Sequence, residues 1–417
     1  MQNENVSIVR ILDITIENFK NVGFGYVAFA SSKIAKKQGL AKGRDVLGIY
    51  GQNGSGKTAL VEALIVWRQV IREQAMEEEL KELIREDTVI TINFFVQNGD
   101  EKYLLCHTLG MCNQEHNIAV AQQASYRTWD KERWSRKRML RPTRKNPDKD
   151  LLHMLKVYAE QGLWIATTRQ LGLCNLNIGV TIDFTYQEKG NLREEQRVAL
   201  FEKNQLSGQQ LVLLQRMIEQ LNVVLQAVLP DIQLGLVIKQ LDSSGEETEN
   251  YEVTLTSKRY GREFPLYNES GGIKRLLSIL TLLIAAYNCP SVCIVVDEID
   301  AGVFEYLLGE VLDIMRTGAK GQLLFTSHNL RALEVLGKDH IIFSTVNPKN
   351  RYIRFTCLQK NRNLRDEYLR TVLIGGQLEA IYEERKSLEL GYAFRKAGKI
   401  NGKSQISDTC VGGRFLR

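Results

Sequence analysis

Asp45 to Leu60 reads DVLGIYGQNGSGKTAL, a short apolar run that feeds a glycine-rich loop. Gly51, Gly56, Lys57 and Thr58 fill every fixed position of the pattern GxxxxGK[ST]. The spacing has a physical reason. Glycines let consecutive backbone N–H groups curl around phosphate oxygens, where side chains would intrude. The loop Gly51, Gln52, Asn53, Gly54, Ser55, Gly56, Lys57 and Thr58 is therefore a candidate cradle for ATP. Lys57 would neutralise the β- and γ-phosphates and the Thr58 hydroxyl would ligate Mg²⁺, while a helix starting here would aim its positive end at the same anion. The flanks agree: Val46 to Tyr50 reads as a buried strand and Ala59 to Ile71 as an amphipathic helix.

Outward from the loop, composition sets limits. The chain has 417 residues, 44% hydrophobic and 25% charged, with only six prolines, which suits a globular protein of one large domain with an insertion, or two domains. No apolar run reads as a membrane span and the N-terminus lacks the blocks of a signal peptide, so a cytoplasmic location is expected. The seven cysteines are scattered, and the CxxxC pair Cys289 and Cys293 has no second pair at zinc spacing.

Upstream of the loop, Ile8 to Phe19 alternates as a first strand and Lys20 to Ser32 as a second. Downstream, the acidic segment Glu73 to Asp87 reads as a solvated helix face with Glu77 and Lys81 at i,i+4. Thr88 to Val96 and Lys102 to Leu109 predict a hairpin around Asn98-Gly99-Asp100, hence a small β lobe. From Arg127 to Lys149 there are ten Lys/Arg against three Asp/Glu, while the whole chain is only +6, so the cationic character is local. Arg127, Lys131, Arg133, Arg136, Lys137, Arg138 and Arg141, interleaved with Trp129 and Trp134, suit contact with DNA or RNA, or an acidic partner protein, or a solvated loop. Leu151 to Ala159 reads as a short amphipathic helix. Leu163 to Ile182 has no clear pattern. Leu211, Leu214, Ile218, Leu221, Leu225 and Val228 repeat at helical spacing up to Pro230, a core stripe too short for a coiled-coil arm. Gln233 to Gln240 and Tyr251 to Ser257 read as strands.

The last third supplies a second half of the chemistry. Phe264 to Leu280, FPLYNESGGIKRLLSIL, sets Ser270, Gly271 and Gly272 just before a helix. Ser291 to Glu298, SVCIVVDE, is a buried parallel strand ending in two carboxylates, a costly pairing without a cation. Asp297 suits Mg²⁺ held through water, and Glu298 suits polarisation of the attacking water. Gln322 to Asn329, QLLFTSHN, ends in His328. Alone, a strand-end histidine is usually structural; beside the other motifs it reads as functional.

These residues resemble the ATP-binding-cassette ATPases of the SMC, OLD and AbiEii-like branch, over most of the chain outside Tyr126 to Leu192. GQNGSGKT looks like Walker A, NESGGIKRLL like the signature motif, CIVVDEID like Walker B, LLFTSHN like the histidine switch, and ILDITIENFKNV like the branch's first strand. The tail NRNLRDEYLR, with Gly375 and Gly376, resembles single-chain ATPases of bacterial anti-phage and abortive-infection loci. The resemblance implies an α/β P-loop NTPase fold with an ABC-type head, in which a mixed, largely parallel sheet flanked by helices joins an antiparallel β lobe and a helical, basic insertion. Residues 1–125 would form the N-terminal half of the head, 126–230 the insertion, 231–360 the C-terminal half and 361–417 an extension. It further implies a homodimer or higher homo-oligomer, joined head to tail, in which Ser270, Gly271 and Gly272 close on the γ-phosphate at the partner's Lys57. Two departures stand out. The family's aspartate after Walker B falls near Phe304, with Asp300 and Glu305 close by, and the glutamine loop has only Gln97 and Gln170 as candidates. About 70 residues follow the last ATPase strand, too few for the nuclease domain of OLD proteins. The expected function is an ATPase switch controlling a separate effector, a nuclease or toxin encoded nearby, within a phage-defence system. The alternatives are an SMC-like ATPase of DNA repair or chromosome maintenance, and a scaffold that binds ATP without hydrolysis.

Overall fold

The computed structural model describes residues 7–29, 45–114, 117–128, 147, 149–167, 173–175, 197–241, 250–355, 363–382 and 387–398. Two compact units divide at residue 381. Strands β1 (Ile8–Phe19) and β2 (Val22–Ala28) form a hairpin, β3 (Asp45–Tyr50) enters the glycine loop, and helix α1 (Lys57–Ile71) leaves it. After α2 (Glu78–Lys81) come β4 (Ile84–Asn98), β5 (Glu101–Gln114) and β6 (Asn117–Thr128). Helix α3 (Lys149–Val157) passes through a π-helical turn into β7 (Leu163–Ala166), and β8 (Leu173–Asn175) pairs with β9 (Arg197–Ala199). Next are β10 (Lys203–Ser207), α4 (Gly208–Val228), β11 (Gln233–Leu241), β12 (Asn250–Arg259) and β13 (Arg262–Pro265). The chain then runs through α5 (Gly271–Asn288), β14 (Cys293–Val296), α6 (Glu305–Gly318), β15 (Gln322–Ser327), α7 (Arg331–Val335), β16 (Ile341–Ser344), β17 (Tyr352–Ile353) and α8 (Leu364–Ile374). The second unit holds α9 (Ser387–Gly398).

The central sheet has the order β17-β16-β3-β15-β14-β7, parallel throughout except for β17. β14, β15 and β16 are buried along their whole length, as the continuous apolar runs of a parallel sheet require. β7 comes from the stretch without a clear sequence pattern; its four residues are too few to show a period, and they pair with β14 from Leu163 to Ala166. A second sheet, β2-β1-β4-β5-β6, is the antiparallel lobe. Its predicted hairpin closes with Asn98 opposite Glu101 and Gly99 at φ +59°. The two sheets are joined by Arg10, which is fully buried. Its Nη1 donates to Pro290 O and Lys320 O, each at 2.7 Å, and its Nη2 pairs with Asp45 at 3.1 Å.

β10, β11, β12 and β13 make a third sheet, on which α4 packs. α4 opens with a capping box between Ser207 and Gln210, and Asn222 both donates to and accepts from the backbone of Leu234, at 3.0 and 2.7 Å. By length and mean hydropathy, 21 residues and 1.2, α4 could span a bilayer, which amends the expectation that no segment reaches that length. Leu214, Met217, Ile218, Leu221 and Leu225 nevertheless bury one of its faces, as their spacing predicts. One local expectation fails. Lys81 pairs with Glu78 at 2.6 Å and not with Glu77, because the helix here is a single turn for which Glu77 is the N-cap.

Candidate nucleotide-binding site

The glycine loop is built from both ends of the chain. A side-chain carbon on Gly51 would lie 1.9 Å from Ser344 Oγ, so β16 itself demands glycine at the first position. Gly56 has φ +88° and is the N-cap of α1, which has no side-chain cap. The amide donors of the first turn of α1 therefore have no side-chain acceptor, the arrangement that receives an anion. The loop carbonyls are taken up by donors: Ser55 Oγ binds Gln52 O at 2.7 Å, Asn21 Nδ2 binds Gly54 O at 2.5 Å and Tyr352 OH binds Gly56 O at 2.6 Å. Ser55 Oγ also meets Ser344 Oγ at 2.5 Å. Gln52, Asn53 and Gly54 form the outer, more exposed part of the loop.

Lys57 is buried, and its Nζ donates to Gly51 O at 2.8 Å and Gln52 O at 3.0 Å. Burial pushes its pKa down to about 8, against the opposing charges of Asp297, Glu298 and Asp300. Those charges identify its surroundings. The parallel order β3-β15-β14 brings the ends of three strands side by side, and with them Lys57, the two Walker B carboxylates and His328.

Beyond β14, Asp297 N donates to Ala166 O at 2.9 Å, and Asp297 is buried. Thr326 in β15 serves both acids, donating to Asp297 Oδ1 at 2.5 Å and accepting from Glu298 N at 2.8 Å. Glu298 is exposed and has φ +49°. The expected cost of two buried carboxylates is thus halved, since only Asp297 is taken out of water. His328 N donates to Asp300 Oδ2 at 3.1 Å, and partial burial together with the charge of Lys57 lowers the imidazole pKa. The ring is held neutral, able to offer one donor.

Ser270 caps α5, accepting from Ile273 N at 3.4 Å. Around Gly271 an added side-chain carbon would meet nothing within 4 Å, whereas at Gly272 it would lie 2.4 Å from Gly302 O. Glu269, just before, is buried and accepts from Ser257 Oγ, which fastens the loop to β12. Arg275 is buried too and reaches Asp297 O at 2.5 Å. Sequence reasoning passed over Thr326, Glu269 and Arg275. No signal in the sequence marks them: Thr326 is followed by Ser327, Arg275 is preceded by Lys274, and Glu269 lies between Asn268 and Ser270.

The donor set fits the phosphates of a nucleotide: an uncapped helix start, a buried ammonium and a loop whose carbonyls are tied back. Mg²⁺ takes oxygen ligands, and Thr58 in the first turn of α1 with the Asp297 carboxylate would hold it. Of the other candidates, Arg127 is the penultimate residue of β6, opposite Leu104. Lys131, Arg133, Arg136, Lys137, Arg138, Arg141 and Gln170 lie outside the described residues. Gln97 donates to Gly99 O at 3.0 Å, within its own hairpin. Phe304 is an exposed N-cap of α6 and Glu305 sits in its first turn. Cys289 and Cys293 are buried free thiols.

Residues 46–334, more than half of the chain, match the family model described as an AAA domain, putative AbiEii toxin, type IV TA system. The chain belongs to this family. It has the fold of a P-loop ATPase, mixed α/β with a parallel central sheet. Among solved structures it is similar to an SMC head bound to the C-winged helix domain of ScpA, at 12% identity and TM-score 0.49 over 83% of this chain and 98% of that one. It is also similar to the Smc head with an extended coiled coil from Pyrococcus furiosus, at 10% identity and TM-score 0.49 over 84% and 97%. The SMC head domain from Thermotoga maritima matches at 15% identity and TM-score 0.39 over 84% and 100%. No curated protein matches the chain.

Proposed function

We propose that the protein binds ATP with Mg²⁺ and hydrolyses it, and that ATP closes two copies head to tail. Lys57 and the loop amides bind the triphosphate, Glu298 accepts the proton of the attacking water, and His328 donates toward the γ-phosphate. Mg²⁺, when bound, would offset phosphate charge. Ser270, Gly271 and Gly272 complete the partner's site. The observation that carries this reading is the open space at Gly271. Gly51 and Gly272 are glycines that their own chain requires, but nothing among the described residues explains the absence of a side chain at Gly271. An approaching phosphate would explain it.

The closed dimer serves as a switch in a bacterial anti-phage defence system, where a separate nuclease or toxin does the damage. The family's description as a putative toxin of a type IV toxin–antitoxin system supports that setting. The basic stretch from Arg127 to Arg141 contacts nucleic acid in this scheme, on the strength of its local excess of positive charge.

The test measures mass by light scattering with and without ATP. Glu298→Gln protein should become dimeric with ATP, and Gly271→Asp should not. Mixing Lys57→Ala with Gly271→Asp subunits should restore part of the ATPase activity, since mixed dimers contain one intact composite site. ATP-bound protein that stays monomeric would end the proposal. Co-expression with the neighbouring gene then tests the effector: growth arrest on phage infection that needs both genes is expected, and arrest without the second gene would make this chain the toxin itself. Binding of DNA should fall steeply with added salt, and should vanish when Arg136, Lys137 and Arg138 become glutamate; binding that survives the substitutions would show that the basic stretch is not the nucleic-acid site and is better read as a dock for a protein.

A further inference from the structure

α5 starts at the exposed signature loop, yet Arg275, one turn in, is only 4% exposed. A buried guanidinium needs acceptors, and this one finds two backbone carbonyls beyond its own helix. Nη2 donates to Asp297 O at 2.5 Å and Nη1 to Thr167 O at 3.0 Å. Asp297 O belongs to the peptide that joins Asp297 to Glu298. The N–H of that same peptide donates to Thr326 Oγ1 at 2.8 Å. One peptide unit is therefore held at both poles, from α5 on one side and from β15 on the other. The residue beyond it, Glu298, stands at φ +49°. A left-handed conformation is unfavourable for a non-glycine residue, and it persists only where the surroundings fix it. Rotation of this peptide would swing the Glu298 carboxylate away. The adjacent Lys274 behaves differently, donating to Tyr267 O within the signature segment and lying 5.6 Å over the ring of Phe201.

We propose that Arg275 is a positioning residue for Glu298 of its own subunit, clamping the Asp297–Glu298 peptide and transmitting to it any shift of the signature helix. The proposal rests on the reading of Glu298 as the base and of the signature loop as acting across a dimer. By sequence, Arg275 belongs to a segment that serves the partner's nucleotide. By contact, it belongs with Asp297 and serves its own. A phosphate in the partner's site that draws on Ser270 and Gly271 pulls on the N-terminus of α5, and Arg275 carries that pull to Glu298. The two sites of a dimer are coupled through this side chain.

Steady-state kinetics and nucleotide titration of full-length Arg275→Ala and Arg275→Lys give the first test. Turnover should fall on the order of 10²-fold in the alanine variant, the scale of a misplaced catalytic group, while ATP affinity stays within about twofold and the lysine variant, which keeps one donor, recovers part of the rate. Circular dichroism checks folding; should Arg275→Ala fail to fold, Arg275→Lys alone must show the split between turnover and affinity. Unchanged turnover, or equal losses of both, would overturn the proposal.

Complementation gives the second test. Arg275→Ala mixed with Gly271→Asp should regain activity, and Arg275→Ala mixed with Glu298→Gln should not. The reverse pattern would assign Arg275 to the signature loop and sink the inference. Lys57→Ala with Gly271→Asp is the control. If that pair regains nothing, the composite site is what fails, and the split between turnover and affinity decides Arg275 independently.

Discussion

The phosphate loop and the signature loop both place glycines at a helix start, and they are finished to different degrees. Around the phosphate loop the chain itself supplies partners: Ser344 against Gly51, Tyr352 on Gly56 O, Asn21 on Gly54 O, and Lys57 folded onto two carbonyls. The signature loop is closed on one side only. Glu269 and Gly272 are fixed inward, while Ser270 and Gly271 are exposed with open space at Gly271. A loop closed by its own chain can bind a ligand alone. A loop left open on one side needs a second surface.

The largest effect belongs to the closed loop. Lys57→Ala removes the buried ammonium and should weaken ATP binding on the order of 10²-fold, the worth of a charge-assisted contact of about 3 kcal/mol, with loss of turnover. Calorimetry measures it. Near-normal affinity would show that the amides at the start of α1 suffice. Glu298→Gln comes next. Turnover should fall by about 10²-fold, the scale of a lost general base, with ATP affinity level or tighter. Single-turnover hydrolysis at the normal rate would move the base to another carboxylate, with Asp300 the nearest alternative at the site.

The same contrast explains what the sequence could and could not reveal. Gly51 to Thr58, Asp297, Glu298 and His328 stand out in the sequence because the glycine-loop pattern and the polar ends of apolar strands restrict residue type and spacing together, and the structure brings them to one place. Thr326, Arg275 and Tyr352 act through backbone carbonyls or a neighbouring acid, a role that many residue types can fill, so no pattern marks them. β7 is a four-residue strand without a period of its own. It becomes a strand because β14 has an open edge for it. The long run of β6 was missed for a related reason: its polar, alanine-rich sequence has little β propensity, and its ladder with β5 from Asn117 to Thr128 supplies the order.

A third prediction uses acidity. Burial depresses Lys57 to about 8, against about 10.4 in the unfolded chain. The fold therefore favours the neutral amine: the ammonium costs stability below pH 8, and that cost is relieved as pH rises from 8 toward 10.4. ATP binding has the opposite sign, because the triphosphate needs the ammonium. Affinity should be level below pH 8 and should fall by up to about tenfold per unit above it. Titrations at pH 7, 8 and 9 check this, and a level affinity across all three would mean that Lys57 keeps its proton in the loop.

The smallest effect separates the two faces of the signature loop. At Gly272 a methyl group would press on Gly302 O at 2.4 Å, and that oxygen sits in a turn where Gly302 itself has φ +73°. Backbone cannot step aside as a side-chain tip can. Gly272→Ala should cost about 1–3 kcal/mol, the usual scale of overpacking, visible as a lower thermal midpoint in the absence of nucleotide. Gly271→Ala meets no atom within 4 Å and lies in the first turn of α5, where alanine is the better helix former, so its stability should stay level or rise by up to about 1 kcal/mol. The two variants then part company on adding ATP. Gly271→Ala, intact as a monomer, should lose ATP-dependent dimerisation, because its methyl group stands where the partner's phosphate must approach. If it dimerises as readily as the unaltered protein, the open space at Gly271 is ordinary surface, and the signature loop is no less complete than the phosphate loop.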